Sequence, residues 1–270
     1  MNPPIKTPFI VLIILVLSVF SYGIVNTKEQ YRKLRESIAI KYSGSKPTVF
    51  SQWTSGVKVK INTNEKIIAL TLDACGGKKG NGYDKELIDF LKEHKIPSTL
   101  FMSGLWIDAH RSLVEELAKD PLFDIENHGL HHKPASVRGA RIYERSGTRN
   151  VSELVDEIEL NARKIEYVTG KKSLFYRSGT AYYDDVAVKI TYELGYMPVN
   201  FSIVSGDVAG FTPEKIEKKI LSSANNGAVI IAHMNRPGMN LYPALKKCLP
   251  QLKSEGYRFV KLSDYKGQLQ

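Results

Sequence analysis

Cysteine is scarce in this chain: Cys75 and Cys248 are the two present among 270 residues. Two thiols cannot build the disulfide framework on which small secreted folds depend. They form either one bridge or two free thiols, with Cys248 in a helix, and spacing alone does not choose. Acidic side chains are also in deficit, 28 against 38 lysines and arginines, for a formal net charge of +10. That balance favours polyanionic partners: nucleic acid, anionic lipid or an acidic cell-wall polymer. No zinc-finger spacing, RNA-binding aromatic signature or basic helix with heptads accompanies it, so nucleic acid is not expected as a partner. No low-complexity tract or solenoid repeat is present either, and the 43% apolar content suffices for one large domain with a core.

Long apolar runs are absent but for one, Phe9 to Val25, which follows Lys6 and carries no charge. It sits at the lower limit of a membrane-spanning helix and slightly above a usual signal h-region. Ser21-Tyr22-Gly23 offers small residues at a spacing suited to a signal peptidase, and no lipobox cysteine follows. Residues 1–25 are therefore expected to be a signal anchor or a signal peptide, with the anchor preferred. Lys28, Arg32, Lys33 and Arg35 outnumber Lys6, against the positive-inside tendency. The chemistry below nevertheless argues for a domain on the extracytoplasmic side, membrane-anchored or secreted. Residues 26–55 are polar and basic, read as a linker with a short helix near 28–40 and a break at Ser43-Gly44-Ser45-Lys46-Pro47. Residues 56–270 are read as the catalytic domain.

From Lys66 onward strands alternate with helices. Strand-like segments are expected at 66–73, 97–102, 122–125, 173–176, 198–203, 228–232 and 257–260. Helical spacing covers 83–94, 106–119, 151–168, 184–194, 213–224 and 242–254. About seven β/α units argue for a parallel sheet, closed into a distorted (β/α)7-type barrel. Asp73, His128, Arg177, Asp207 and His233 all fall at or just after the C-terminal ends of these strands, the edge where a barrel gathers its catalytic groups.

His128 and His132 are four positions apart in Asn127-His128-Gly129-Leu130-His131-His132-Lys133-Pro134. On a helical turn both rings would reach one metal ion, with His131 pointing elsewhere. Asp73, closing a strand beside them, suits metal-assisted hydrolysis. Arg177 at a buried strand end needs a carboxylate, and Asp73 is the natural one. His233 emerges from a core strand as a candidate general acid, with Asp207 to orient and charge it. Arg138, Arg141, Arg145 and Arg149 lie on a long polar loop between Lys133 and Asn150, placed to gate a site, grip an anionic glycan or simply be solvated.

These residues carry a resemblance. The segment from about Lys66 to Tyr265 resembles the polysaccharide deacetylases, carbohydrate esterase family four. Thr71-Leu72-Asp73-Ala74-Cys75-Gly76 is similar to that family's Thr-Phe-Asp-Asp-Gly motif, His128 to His132 to its paired histidines, and Tyr176-Arg177-Ser178-Gly179 to its arginine motif. Asp207-Val208 stands where it has Asp-Trp, and Ile231-Ala232-His233 where it has Leu-x-His. The resemblance implies a distorted (β/α) barrel that removes N- or O-acetyl groups from glycans. Asp73 would be the base, Arg177 its positioning residue, His128 and His132 the metal ligands, and His233 the acid paired with Asp207. Departures stand beside it. Ala74 occupies the metal-binding aspartate position, Val208 that of the acetyl-pocket tryptophan, and the arginine motif lacks its Pro-aromatic tail, although Tyr182 and Tyr183 follow. Cys75, on the same side of an extended strand as Asp73, is a candidate third ligand that would favour zinc.

The expected activity is metal-dependent hydrolysis of acetyl groups from an acetylated polysaccharide, with peptidoglycan as the first substrate and zinc as the expected ion. Two rivals are a non-catalytic glycan-binding homologue that has lost metal ligation, and a glycosidase using Asp73 and Asp207 as its carboxylate pair.

Overall fold

Eight consecutive residues of strand β1, Ile67–Ala74, are buried, which is what a strand covered on both faces of a parallel sheet requires. The computed structural model describes residues 28–78 and 80–270; the apolar run at Phe9–Val25 lies outside them. Alternation along β1 assigns the faces. Ile68, Leu70, Leu72 and Ala74 pack into the core shared with the surrounding helices. Ile67 and Ala69 join an inner core with Phe101, Phe175, Val199, Phe201, Val229 and Ile231. Carried two steps further, the inner register holds Thr71 and Asp73.

The remaining strands are β2 Ser98–Met102, β3 Phe123–Asn127, β4 Phe175–Tyr176, β5 Met197–Pro198, β6 Ile203–Val204, β7 Ala228–His233 and β8 Arg258–Val260. Their spatial order is β6-β7-β1-β2-β3-β4-β5, with β8 beside the N-terminal half of β1. Every pairing within this sheet is parallel. The sheet curls into an incompletely closed, distorted barrel. Residues 58–61 cross the seam: Lys58 bridges Val199, while Lys60 bridges Ala228. Gln270 exchanges backbone hydrogen bonds with Lys60, at 2.9 Å as donor and 3.2 Å as acceptor.

The helices are α1 Lys85–Glu93, α2 Gly104–Ala109, α3 Arg111–Leu117, α4 Val151–Thr169, α5 Asp185–Glu193, α6 Pro213–Ser223 and α7 Leu241–Ser254. Their starts follow the sequence: Asp84, Ser103, Asn150, Asp184 and Thr212 each accept a backbone N–H of the first turn. The single helix expected over 106–119 is broken at His110. Its Nε2 lies 2.6 Å from the Asn81 carbonyl and its ring packs 4.5 Å from Trp106, and its backbone leaves the helical region.

The strand expected over 198–203 is interrupted between β5 and β6. There the carbonyls of Val199 and Asn200 accept from Arg177 instead of continuing a ladder. The chain divides into two units, 1–44 and 45–270. In the first, a helix at residues 28–41 is laced by Arg32 with Glu29 and Glu36, at 2.7 and 2.8 Å. The span read as a linker, 26–55, thus holds a helix, and its last part is built into the barrel unit. Phe50–Ser51 pairs with Tyr183–Asp184, and Thr54 donates to the Tyr183 carbonyl. Both cysteines are free. Among the described residues no helix is long and apolar enough to cross a membrane.

Candidate active site and metal centre

Register places the first two groups side by side: His233, ending β7, is the direct partner of Asp73 on β1. The Arg177 guanidinium, fully buried, donates to Asp73 Oδ1 at 2.6 Å and to Thr71 Oγ1 at 2.9 Å. It also donates to the carbonyls of Asn200 at 3.0 Å and Val199 at 3.3 Å, and lies over the Phe101 ring at 4.0 Å. An arginine so saturated holds its carboxylate in one position.

His233 Nδ1 lies 3.2 Å from Asp207 Oδ2, whose other oxygen accepts from Ser205 Oγ at 2.7 Å. The same carboxylate also accepts the His233 backbone N–H at 3.0 Å. Burial alone would lower the His233 pKa, but Asp207 outweighs it and raises the imidazole well above its ordinary value. Burial likewise pushes Asp207 up, and the charge of His233 brings it below the usual carboxylate range. Asp207 is thus an ionised partner of a charged imidazole, which removes it from the acid role that the glycosidase rival requires.

The paired histidines are brought together, but not by a helix. Gly129 and His132 both adopt positive φ, 79° and 57°, and the segment is an irregular loop. The Glu157 carboxylate, projecting from α4, organises it by accepting the backbone N–H groups of His131 and Lys133, each at 3.0 Å. A side chain at Gly129 would collide with Glu157 Oε1 at 2.4 Å, and one at Gly179 with the His132 backbone at 2.2 Å. Compressed in this way, the loop sets the rings of His128 and His132 edge to face, 4.7 Å apart. His131 is not part of the ligand cluster.

His128 Nδ1 lies 2.9 Å from the Arg177 carbonyl. A carbonyl only accepts, so Nδ1 carries a proton; burial opposes the charged ring, but Asp73 and Cys75 outweigh it and raise the His128 pKa above its ordinary value. His128 Nε2 lies 3.5 Å from Asp73 Oδ2 and 3.9 Å from Cys75 Sγ. His132 Nδ1 is buried with no hydrogen-bond partner. Ligand atoms of Cys75, His128 and His132 all lie within 4.8 Å of one another. Burial opposes ionisation of the Cys75 thiol, yet His132, His128 and His233 together hold it well below its usual value. Burial lowers the pKa of His132, leaving a neutral imidazole. One thiol sulfur, two imidazole rings and a carboxylate converge here. That donor set fits a divalent cation, and the orphaned nitrogen of His132 fits it as well. The expected gap at Ala74 is real, since that residue packs in the outer core with Leu72; Cys75, one residue on, lies with the two histidines in a group whose ligand atoms are within 4.8 Å of one another.

Sequence reasoning missed Glu157. A carboxylate in mid-helix reads as part of a solvated face, and nothing in its spacing reveals that the loop lies over it. Burial pushes its carboxyl up to about 7.

Known proteins resemble this chain in sequence and fold. A peptidoglycan-N-acetylglucosamine deacetylase of Bacillus cereus is 28% identical over 221 residues, covering 81% of this chain and 93% of that protein. The peptidoglycan-N-acetylmuramic acid deacetylase PdaA of Bacillus subtilis is 27% identical over 209 residues, 75% of this chain and 72% of that protein. The solved structure of PdaA, a family 4 carbohydrate esterase, superimposes with a TM-score of 0.64 at 23% identity, over 78% of this chain and 84% of that one. A family pseudoenzyme of Bacillus anthracis superimposes equally well, with a TM-score of 0.64 at 20% identity over 75% and 66% of the two chains. The family model for polysaccharide deacetylase matches residues 60–199, just over half the chain. This chain therefore belongs to the polysaccharide deacetylases, a family of metal-dependent hydrolases acting on carbon–nitrogen bonds outside peptides.

Proposed function

We propose that this protein hydrolyses acetyl groups from an acetylated cell-wall polysaccharide, with peptidoglycan as its first substrate. The observation that carries the reading is the convergence of Asp73, His128, His132, Cys75 and His233 at one end of the sheet. Cys75, His128 and His132 would hold a divalent ion, and the thiolate favours zinc over harder cations. Bound there, the ion supplies Lewis acidity toward an acetyl carbonyl and an attacking water.

The chain's own residues do the remaining work. Asp73, held in place by Arg177, takes a proton from the water as the water oxygen bonds to the acetyl carbon. His233, kept charged by Asp207, gives its proton to the sugar nitrogen as the C–N bond breaks. Acetate and a free amine leave; the proton on Asp73 passes to His233 and restores it, and the proton of the nascent acetic acid goes to solvent. Val208, 44% exposed at the turn after Asp207, leaves that side of the cleft open.

The apolar run at residues 1–25 supports a signal anchor or signal peptide, residues 26–44 a connection, and the domain beyond a position on the extracytoplasmic side, where its substrate lies. Acetate release from purified peptidoglycan and from acetylated chitin fragments, with and without chelator, tests the activity. The reading predicts acetate without new reducing ends, lost on chelation. New reducing ends without acetate, or no product from the metal-loaded protein, would refute it.

A further inference from the structure

Val199 and Asn200, whose carbonyls hold the Arg177 guanidinium, belong to neither β5 nor β6. A carbonyl outside a ladder points where other bonds fix its peptide unit. Here those bonds come from the chain ahead of β1. The Asn200 N–H, on the same peptide unit as the Val199 carbonyl, donates to the Lys58 carbonyl at 2.7 Å. The Asn200 side chain, fully buried, donates through Nδ2 to the carbonyls of Gln52 at 2.7 Å and Ala181 at 2.8 Å. Only the amide nitrogen can serve two carbonyls, and Oδ1 is left without a partner.

The segment that receives these bonds is itself tied down. Phe50–Ser51 pairs with Tyr183–Asp184, and Thr54 Oγ1 donates to the Tyr183 carbonyl at 2.8 Å. The Trp53 ring, 60% exposed, meets the buried Phe201 ring at 6.1 Å and 75°. The centre of the Phe201 ring lies 5.9 Å from Arg177 Cζ. Ala181, four residues after Arg177, has a φ of 61°, which a residue bearing a Cβ keeps only where its surroundings fix it. Asn200 therefore joins three pieces of chain around one guanidinium: residues 52–58, the turn after Arg177, and the break between β5 and β6.

We propose that Asn200 is a positioning residue that fixes the two carbonyls holding Arg177 and so aims the Asp73 carboxylate, 2.6 Å from that guanidinium. Residues 52–58 thereby join the apparatus that sets the base, although they precede the stretch matched by the family model, residues 60–199, and Asn200 follows it. Truncating Asn200 leaves the hydrogen bonds of Arg177 free to form but no longer aimed, which lowers turnover more than substrate binding. Only the turnover arm of the test rests on the deacetylase reading.

Hydrogen exchange followed by NMR on the full chain reads the Arg177 Nε–H against the backbone N–H groups of β1, with kcat and KM for acetate release measured in parallel. In Asn200→Ala the Arg177 Nε–H should exchange faster by at least about tenfold beyond any change in β1. There kcat should fall about 10–100-fold, with KM within about twofold of the parent. Trp53→Ala, which removes a largely exposed ring and so leaves folding intact, should show the same excess at about threefold, and it decides the matter if Asn200→Ala does not fold. An equal factor at Arg177 and β1, the signature of general destabilisation, would overturn the proposal, as would an unchanged kcat in Asn200→Ala when the parent is active. A parent that releases no acetate refutes the deacetylase reading and leaves the exchange comparison to decide the role of Asn200.

Discussion

At the scale of single residues, the site is a set of charges each held by a named partner. Arg177 has no route to solvent and Asp73 is its carboxylate. Asp73→Asn keeps the shape and removes the base, so acetate release should fall by at least about 10³-fold; it also leaves the buried Arg177 guanidinium without its carboxylate, so the circular-dichroism melt should fall as well. Arg177→Met should instead fail on stability, by about 3–5 kcal/mol in denaturant titration, because it strands a buried carboxylate.

The pair of His233 and Asp207 sets the pH behaviour. Folding raises the pKa of His233, so its contribution is fully present below the ordinary 6.5 and is lost as pH rises through the raised value. Folding lowers that of Asp207, so the same pair is also lost as pH falls below the usual 3.8. Activity that needs protonated His233 should therefore persist through neutrality and fall on the alkaline side. In a kcat/KM profile, Asp207→Asn should move that alkaline limb toward lower pH; an unmoved limb would remove His233 from the acid role. Asp73, Arg177, Asp207 and His233 were legible from sequence because each closes or follows an apolar strand run. Cys75 was legible through strand alternation once Ala74 was seen to offer no ligand.

At the scale of elements, the segment from His128 to Lys133 shows where pattern and structure diverge. Spacing of four suggested one face of a helix and picked the right two side chains. The structure obtains the same convergence by a loop with positive φ at Gly129 and His132, clamped on Glu157 of α4. No periodicity encodes a carboxylate reaching across from an element some 25 residues downstream, as Glu157 does. Glu157→Ala frees two backbone N–H groups in a buried setting. It should cost about 1–3 kcal/mol of stability and weaken metal retention roughly 10–100-fold, as loss of a ligand's supporting shell does; equilibrium dialysis with zinc checks the second. The break between β5 and β6 has a related origin. Val199 and Asn200 look like strand in sequence, but their carbonyls are committed to Arg177.

At the scale of the whole molecule, the alternation of apolar strands and capped helices was enough to read the curled parallel sheet, because the longest strand is buried on both faces and five of the seven helices named above start on a side-chain cap. The closure was not readable. Residues 58–61 fill a seam that depends on contacts with β5, β7 and the last residues of the chain. Removing Leu269 and Gln270 takes away three backbone hydrogen bonds with Val59 and Lys60 and the buried Leu269 side chain. The melting temperature should drop by about 5 °C or more; an unchanged melt would show that the seam contributes nothing to stability. The deacetylase chemistry stands on Cys75, His128 and His132 holding one ion between Asp73 and His233. Cobalt loading of the full chain reports on that ion through the near-ultraviolet thiolate-to-cobalt charge-transfer band and the metal retained after dialysis. One cobalt per chain with that band is expected, and loss of the band in Cys75→Ser. Protein that retains no metal, or a spectrum identical in the two proteins, would contradict it.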